Sequence, residues 1–198
     1  MIKNVIFDIG NVLLDFCWKD HIARFGFQGE KADRIAQAMM LGPLWPKLDL
    51  GLESDEDILE QFVAHTPELE QEIRLVFSDL STIVREYEGS VDWIESLKAR
   101  GYHTYYLSNY GDRIRREAAK ELSFLPHMDG GIMSYTVHLA KPDPAIYQAL
   151  MERYGLKAEE CVFLDDTVRN VEAARALGMA GIVVTSQEQA KKELETLL

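Results

Sequence analysis

Six polar residues each close an apolar run or stand just beyond one. Asp8 follows NVIF, Ser108 and Asn109 follow HTYYL, Asp165 and Asp166 follow CVFL, and Lys141 lies in AKPDPAIY, in the loop after GIM. In open α/β sheets the carboxyl ends of the strands are where ligands bind. Taken singly, each has a plain structural reading: an aspartate after a strand serves as a turn residue or helix cap, Ser-Asn is a common turn, and Lys-Pro-Asp-Pro is a helix start. Adjacent acids are different, because two neighbouring negative charges repel unless a cation or a helix N-terminus compensates. The conjunction therefore points to a divalent-metal centre with a carboxylate nucleophile. Asp8, a backbone carbonyl just after it and Asp166 are the oxygen ligands that Mg²⁺ accepts in octahedral geometry. A phosphoryl group placed there needs its oxygens neutralised, which the metal, Lys141, and hydroxyl or amide donors from Ser108 and Asn109 can do. At ~4 Å and an effective dielectric of about 20, each charge contact is on the order of 4 kcal/mol before desolvation, so two cations outweigh the carboxylates' repulsion of an incoming anion.

These residues need a scaffold that brings distant strand ends together. Strands are predicted over 4–7, 103–107, 131–133, 161–164 and 181–184, apolar without clean alternation, as a parallel sheet covered on both faces requires. Helices separate them. SVDWIESLKARG reads as a helix with Ser90 as N-cap and Gly101 closing it, and DTVRNVEAARALG as one with Val168, Val171, Ala174 and Leu177 on its buried face. PDPAIYQALMERYG opens on Pro144, in the first turn where proline is tolerated, and closes at Gly155. Alternating strands and helices imply right-handed crossovers and a doubly wound, Rossmann-like α/β fold. Residues 16–87 break the rhythm: they show helical periodicity, with Ser54 and Thr66 as caps, and no convincing strand. The expected division is an α/β core formed by 1–15 and 88–198, with 16–87 as a helical cap inserted over the first strand's carboxyl end.

Bulk properties exclude several functions. The chain has 198 residues and a net charge of −12, which argues against nucleic-acid or membrane-surface binding, since both call for a basic face. Its one basic cluster, Arg113, Arg115 and Arg116, is interleaved with acids and reads as a solvated helix face. No run approaches the ~20 apolar residues of a membrane span, and the N-terminus has no signal-peptide pattern. Cys17 and Cys161 lie far apart in apolar surroundings, as buried thiols of a reducing cytoplasm do. The expected location is cytoplasmic, and the expected partner is a small molecule. A monomer and a homodimer both fit this sequence.

VIFDIGNVLLD, YYLSN, AKPDPAIY and VFLDDTVRNVEAAR, in that order and strand context, resemble the four motifs of the haloacid dehalogenase superfamily hydrolases, and the insertion resembles their helical cap of the first type. The resemblance implies that Asp8 is a nucleophile forming an aspartyl-phosphate. It implies further that Asp8, the Gly10 carbonyl and Asp166 bind Mg²⁺ with help from Asp165, that Ser108 and Asn109 hold the phosphoryl oxygens, and that Lys141 orients the nucleophile and offsets its charge. The departure is Gly10. Most phosphatases of this superfamily carry a second aspartate there as general acid and base, and losing such help costs typically 10²–10⁴-fold in rate.

Three readings stand open. The Asp-x-Gly-Asn-Val form resembles a branch that includes phosphatases of glucose 1-phosphate, whose anomeric oxygen leaves with less need of a proton; a small phosphorylated metabolite such as a sugar phosphate is then the substrate. A dehalogenase also lacks the second aspartate, but uses no metal, which leaves the acid pair unneutralised. A catalytically weak relative would bind phosphometabolites or a protein partner. The cap should set specificity and close over substrate. Within it, His21 is a candidate replacement proton donor, Lys19 a candidate for a second anionic group, and Trp45 either faces substrate or fills the cap's own core.

Overall fold

The protein, described over residues 1–198 by a computed structural model, carries its five long apolar runs as one parallel sheet. The strands are β1 (Asn4–Phe7), β4 (His103–Ser108), β5 (Gly130–Met133), β6 (Cys161–Asp165) and β7 (Ala180–Val183), in the spatial order β5-β4-β1-β6-β7. β1 is central, and the order reverses at it, so the crevice between the ends of β1 and its neighbours is the switch point where ligands sit in such sheets. The absence of clean alternation has a direct cause. Val5 and Phe7 of β1, with Val162 and Leu164 of β6, enter one buried cluster of 41 residues, while Ile6, Cys161 and Phe163 enter another of 11 on the opposite face. Side chains of a strand alternate between faces, and here both faces are covered.

Helices α6 (Ser90–Ala99), α7 (Asp112–Glu117), α8 (Pro144–Tyr154), α9 (Val168–Ala176) and α10 (Gln187–Glu195) flank the sheet. The Asp143 carboxylate accepts a hydrogen bond from Ala145 N at the start of α8, with Pro144 in the first turn and left-handed Gly155 at its end. Two expectations fail in detail. Gly89, not Ser90, precedes α6 as its cap; the Ser90 hydroxyl instead donates to Leu13 O at 2.8 Å. Val168 opens α9 but is 54% exposed, whereas Val171 and Ala174 are buried and Leu177 packs part-buried against the smaller cluster.

Between β1 and α6 the chain forms α1 (Trp18–Arg24), α2 (Gly29–Ala38), α3 (Pro46–Leu50), α4 (Asp55–His65) and α5 (Glu70–Phe77). The Ser54 hydroxyl caps α4 by accepting from Asp57 N at 3.1 Å, but Thr66 makes no side-chain cap, and a 3₁₀ turn at Pro67–Leu69 leads into α5. The expectation of no strand in this region is corrected: β2 (Leu14–Phe16) and β3 (Val84–Glu86) pair antiparallel, with Phe16 opposite Val84. Three residues with one or two polar members carry too little periodicity to register as a strand. This ribbon is where the helical segment leaves and rejoins the sheet. Its side chains, among them Ile35, Phe62 and Phe77, belong to the same 41-residue cluster as the sheet. Arg113 ties the two parts: its guanidinium lies 4.1 Å from the Phe77 ring centroid, donates to Phe77 O at 2.7 Å and pairs with Glu117 at 2.8 Å. The basic cluster is thus a solvated face only at Arg116; Arg113 is a part-buried clamp. No helix is long and apolar enough to cross a membrane, and both cysteines are buried free thiols.

Candidate active site

Asp8 is the residue after β1, and its position follows from the strand. Its backbone N–H continues the ladder by donating to Leu164 O at 2.7 Å, while its carboxylate turns back to accept from Ile9 N at 2.7 Å. The side chain is 11% exposed. Burial raises its pKa from 3.8 to about 7, opposed by the nearby Lys141 ammonium, reinforced by the Asp165 charge and eased by the Ser108 hydroxyl beside it. Ser108 closes β4 and is itself buried.

Lys141 arrives from the loop before α8 and is almost completely enclosed. Its Nζ bridges Asp8 Oδ1 at 2.9 Å and Asp165 Oδ2 at 2.5 Å. Burial alone would push this ammonium toward the neutral form, but the two carboxylates outweigh it and hold its pKa above the ordinary value. Asp165 is consumed by this task. Its Oδ1 accepts from Thr167 N at 2.8 Å, and Asn170 Nδ2 reaches both oxygens at 3.1 Å. The cation that compensates Asp165 is therefore Lys141, and the bracing is shared by Asn170, one helical turn into α9. Asn109 holds Lys141 from the other side: its Nδ2 donates to Lys141 O at 3.0 Å and its Oδ1 accepts from Lys141 N at 2.8 Å.

Asp166 stands differently. It is half-buried at the cavity wall, accepting from Asn11 Nδ2 at 2.9 Å and from Thr167 Oγ1 at 3.3 Å. Asn11 adopts φ 55°, a left-handed conformation that asparagine tolerates better than most residues. One carboxylate oxygen from each of Asp8, Asp165 and Asp166 lies within 4.8 Å of the others. An all-oxygen set of this kind, with three carboxylates against one ammonium, suits a hard divalent cation.

These groups open into a cavity of about 230 Å³, whose walls include Asp8, Gly10, Asn11, Asn109, Asp166 and Thr167 from the sheet ends. Leu14, Phe16 and Val84 come from the ribbon, Tyr110 and Ile114 from the segment after β4, and Trp45 and Asp49 from the helical insertion. Trp45 takes both of its expected roles, lining the cavity while stacking on Phe62 inside the insertion. His21 is corrected. It is fully buried away from the cavity, with Nε2 donating to Val76 O at 3.3 Å and Nδ1 facing the Thr82 hydroxyl at 3.0 Å. Lys19 is also absent from the cavity, lying exposed over the Trp18 ring. Three residues of the site went unread in the sequence. Asn170 had a signal, an amide five places past Asp165 on the following helix. Asn11, sitting beside Gly10, had only its proximity to Asp8. Asp49 had an acid inside a short proline-initiated helix that ends at a glycine.

The sequence profile of the haloacid dehalogenase-like hydrolases matches residues 2–178. Among curated proteins, bifunctional epoxide hydrolase 2 of Sus scrofa is 38% identical over 104 residues, which is 50% of this chain and 19% of that one, so this chain matches only about a fifth of that relative's length. A phosphatase of Mycobacterium tuberculosis is 27% identical across 96% of this chain and 90% of its own. A phosphorylated carbohydrates phosphatase of Thermotoga maritima is 30% identical across 71% of this chain and 63% of its own. In solved structures the fold recurs in a haloacid dehalogenase family enzyme of Bacteroides thetaiotaomicron, at TM-score 0.75 and 21% identity over 98% of both chains. That enzyme has also been crystallised with magnesium and inorganic phosphate, in a structure of TM-score 0.70 and 22% identity covering 92% of this chain and 93% of its own. The fold recurs too in an L-2-haloacid dehalogenase of Xanthobacter autotrophicus, at TM-score 0.66 and 18% identity over 99% of this chain and 83% of that one. The matched profile spans every residue of the centre described above, and the chain belongs to the haloacid dehalogenase-like hydrolases.

Proposed function

We propose that this hydrolase is a Mg²⁺-dependent phosphomonoesterase, working through an aspartyl-phosphate on Asp8. The observation that carries the reading is the charge count at the cavity floor: Asp8, Asp165 and Asp166 face one ammonium, Lys141. A phosphoryl dianion entering that field would be repelled, and a divalent cation reverses the sign. Asp8, Asp166 and the carbonyl of Gly10 are the groups that would hold it, while Asp165 serves through Lys141. When bound, the ion supplies charge neutralisation of the phosphoryl oxygens and keeps Asp8 ionised.

The chain's own residues then divide the remaining work. Lys141 fixes the attacking oxygen by its 2.9 Å contact and is itself held by the Asp165 carboxylate on the opposite side. Asn109 keeps one amide proton free of the Lys141 carbonyl, and with the Ser108 hydroxyl it supplies donors to the transferring group. The magnesium and phosphate found in the Bacteroides neighbour support this reading. A dehalogenase reading has structural neighbours as well, but it leaves the excess of carboxylate unbalanced.

The leaving group would occupy the outer cavity. Its walls are apolar at Leu14, Phe16, Trp45, Val84 and Ile114, and they include no lysine or arginine. A substrate with a second anionic group finds no partner there, whereas a sugar monophosphate can lay its apolar face on Trp45. A hexose phosphate such as glucose 1-phosphate fits both this wall and the name of the Thermotoga relative. The helical segment 16–87 acts as the lid, in a cytoplasmic protein whose two thiols remain free.

The test is a panel of sugar phosphates, nucleotides and p-nitrophenyl phosphate, with and without Mg²⁺, with Asp8→Asn as control. Turnover that requires Mg²⁺ and vanishes in Asp8→Asn is expected. Metal-independent turnover, or activity retained in Asp8→Asn, would overturn the reading.

A further inference from the structure

Position 10 is a glycine, so the aspartate that would pass protons beside the nucleophile is missing, and the cavity must be searched for another. Besides the floor carboxylates it holds two groups that carry a titratable proton, Tyr110 and Asp49. The Tyr110 phenol is buried without a partner, and burial drives its pKa well above the ordinary range, so it cannot take a proton from water near neutrality. Asp49 belongs to α3, on the wall contributed by the insertion.

The backbone of α3 is fixed onto the segment that follows β5 at three successive residues. The Ser134 hydroxyl donates to Asp49 O, and His138 Nδ1 donates to Leu50 O at 2.8 Å. Gly51 then ends the helix at φ 62°, so close to Tyr135 that an added methyl would stand 2.9 Å from its Cβ. The carboxylate itself is different: it accepts no hydrogen bond and pairs with no cation, although it lines the same cavity as Asp8. Here the main chain is pinned while the functional group stays uncommitted. Elsewhere at the site, Asp8, Asp165 and Asp166 each accept at least one hydrogen bond.

We propose that Asp49 is the general acid and base of this chain, acting across the cavity from the insertion in place of a side chain at position 10. The assignment rests on the phosphomonoesterase reading. In the first step an Asp8 oxygen bonds to phosphorus, the bond from phosphorus to the leaving oxygen breaks, and that oxygen takes its electron pair and the Asp49 proton to depart as alcohol. In the second, Asp49, now ionised, accepts a proton from water as the water oxygen bonds to phosphorus. The phosphorus–Asp8 bond breaks with its electrons returning to Asp8, inorganic phosphate leaves, and Asp49 is again protonated. The environment suits both halves: burial, then the Asp8 charge, raise the Asp49 carboxyl to about 7, with Lys141 opposing. A group poised near working pH serves as acid and base in turn.

Gly10 allows a decisive experiment. A Cβ built on it meets nothing within 4 Å, so the first side-chain atom of Gly10→Asp has room. Wild type, Asp49→Asn, Gly10→Asp and the double variant are compared with Mg²⁺ on a sugar phosphate and on aryl phosphates of graded leaving-group basicity, with intact-protein mass after acid quench. Asp49→Asn is expected to lose roughly 10²–10⁴-fold on the poor leaving group and less on p-nitrophenyl phosphate. It is also expected to accumulate phosphorylated protein, and Gly10→Asp in the same chain should restore at least about tenfold. Equal loss on every ester without trapped phosphoenzyme and without rescue overturns the assignment and leaves Asp49 a shaping residue. A wild type inert toward every ester, or one indifferent to Asp8→Asn, overturns instead the phosphomonoesterase reading itself.

Discussion

Asn109 and Lys141 clasp each other by a reciprocal pair, Nδ2 to main-chain oxygen at 3.0 Å and main-chain nitrogen to Oδ1 at 2.8 Å. The same amide that is expected to meet phosphoryl oxygens also braces the loop that delivers the lysine. The centre is built as a chain of supports: Asn109 holds the Lys141 backbone, Lys141 holds Asp8, and Asn170 and Thr167 hold the Asp165 that holds Lys141.

Removing the ammonium from this array should cost stability as well as activity. Lys141→Met fills much the same volume but leaves Asp8 and Asp165 facing each other in an enclosed space. Breaking one side of a buried ion pair typically costs ~3–5 kcal/mol. Urea unfolding near neutral pH should show a loss of that order, shrinking as the pH is lowered and the stranded Asp8 carboxyl takes up a proton. Wild-type stability in this variant would mean that the two acids are compensated by something other than Lys141.

Mg²⁺ should separate the two adjacent acids. Asp166 is half-buried at the cavity wall, whereas Asp165 is spent on Lys141, Thr167 and Asn170. Without metal, burial keeps the Asp8 carboxyl up to about 7, and a metal ligand must be ionised, so binding releases a proton and tightens as pH rises through that value. Titrating Mg²⁺ into wild type should raise the melting temperature, more so on the alkaline side. Asp166→Asn should abolish the rise while melting near the metal-free wild type. Asp165→Asn should lower stability even without metal. An undiminished magnesium shift in Asp166→Asn would remove that residue from the metal site.

His21 predicts a pH dependence unrelated to catalysis. Burial lowers its pKa below 6.5, against the opposing hydrogen bond to Val76 O. The unfolded chain therefore binds a proton from about pH 6.5 downward where the folded chain does not, so the stability is present above about 6.5 and is lost as pH falls below it. His21→Gln, which keeps an amide donor but never ionises there, should unfold with a shallower slope between about pH 5 and about pH 7. Identical slopes in the two proteins would count against a neutral, buried imidazole.

Much of the fold was legible because its strands are buried on both faces and end abruptly in polar residues. The run from Val5 to Phe7 can only be a covered strand, and Asp8 announces its end. Similar logic placed Asp165, Asp166 and Lys141 at one edge, and the structure brings them together. What escaped was whatever depended on orientation within the insertion. His21, Lys19 and Asp49 are all polar residues on short helices, and composition does not say which side of such a helix meets the sheet. The register of α3 is set by Ser134, Tyr135 and His138, which lie far along the chain. The β2–β3 ribbon was missed because Leu14–Phe16 and Val84–Glu86 owe their extended form to each other rather than to local preference.

That ribbon has an evolutionary corollary. With Phe16 and Val84 opposite one another, the five-helix excursion departs and returns through neighbouring doorposts, so the parallel scaffold need not register how long the detour is. The excursion can then be exchanged, enlarged or pruned while the carboxylates and lysine at the sheet ends stay in place, and a laboratory can attempt the same graft at these two positions. If a side chain of that excursion also handles protons, such a transplant would carry part of the reaction with it, and chemistry as well as substrate choice would become portable.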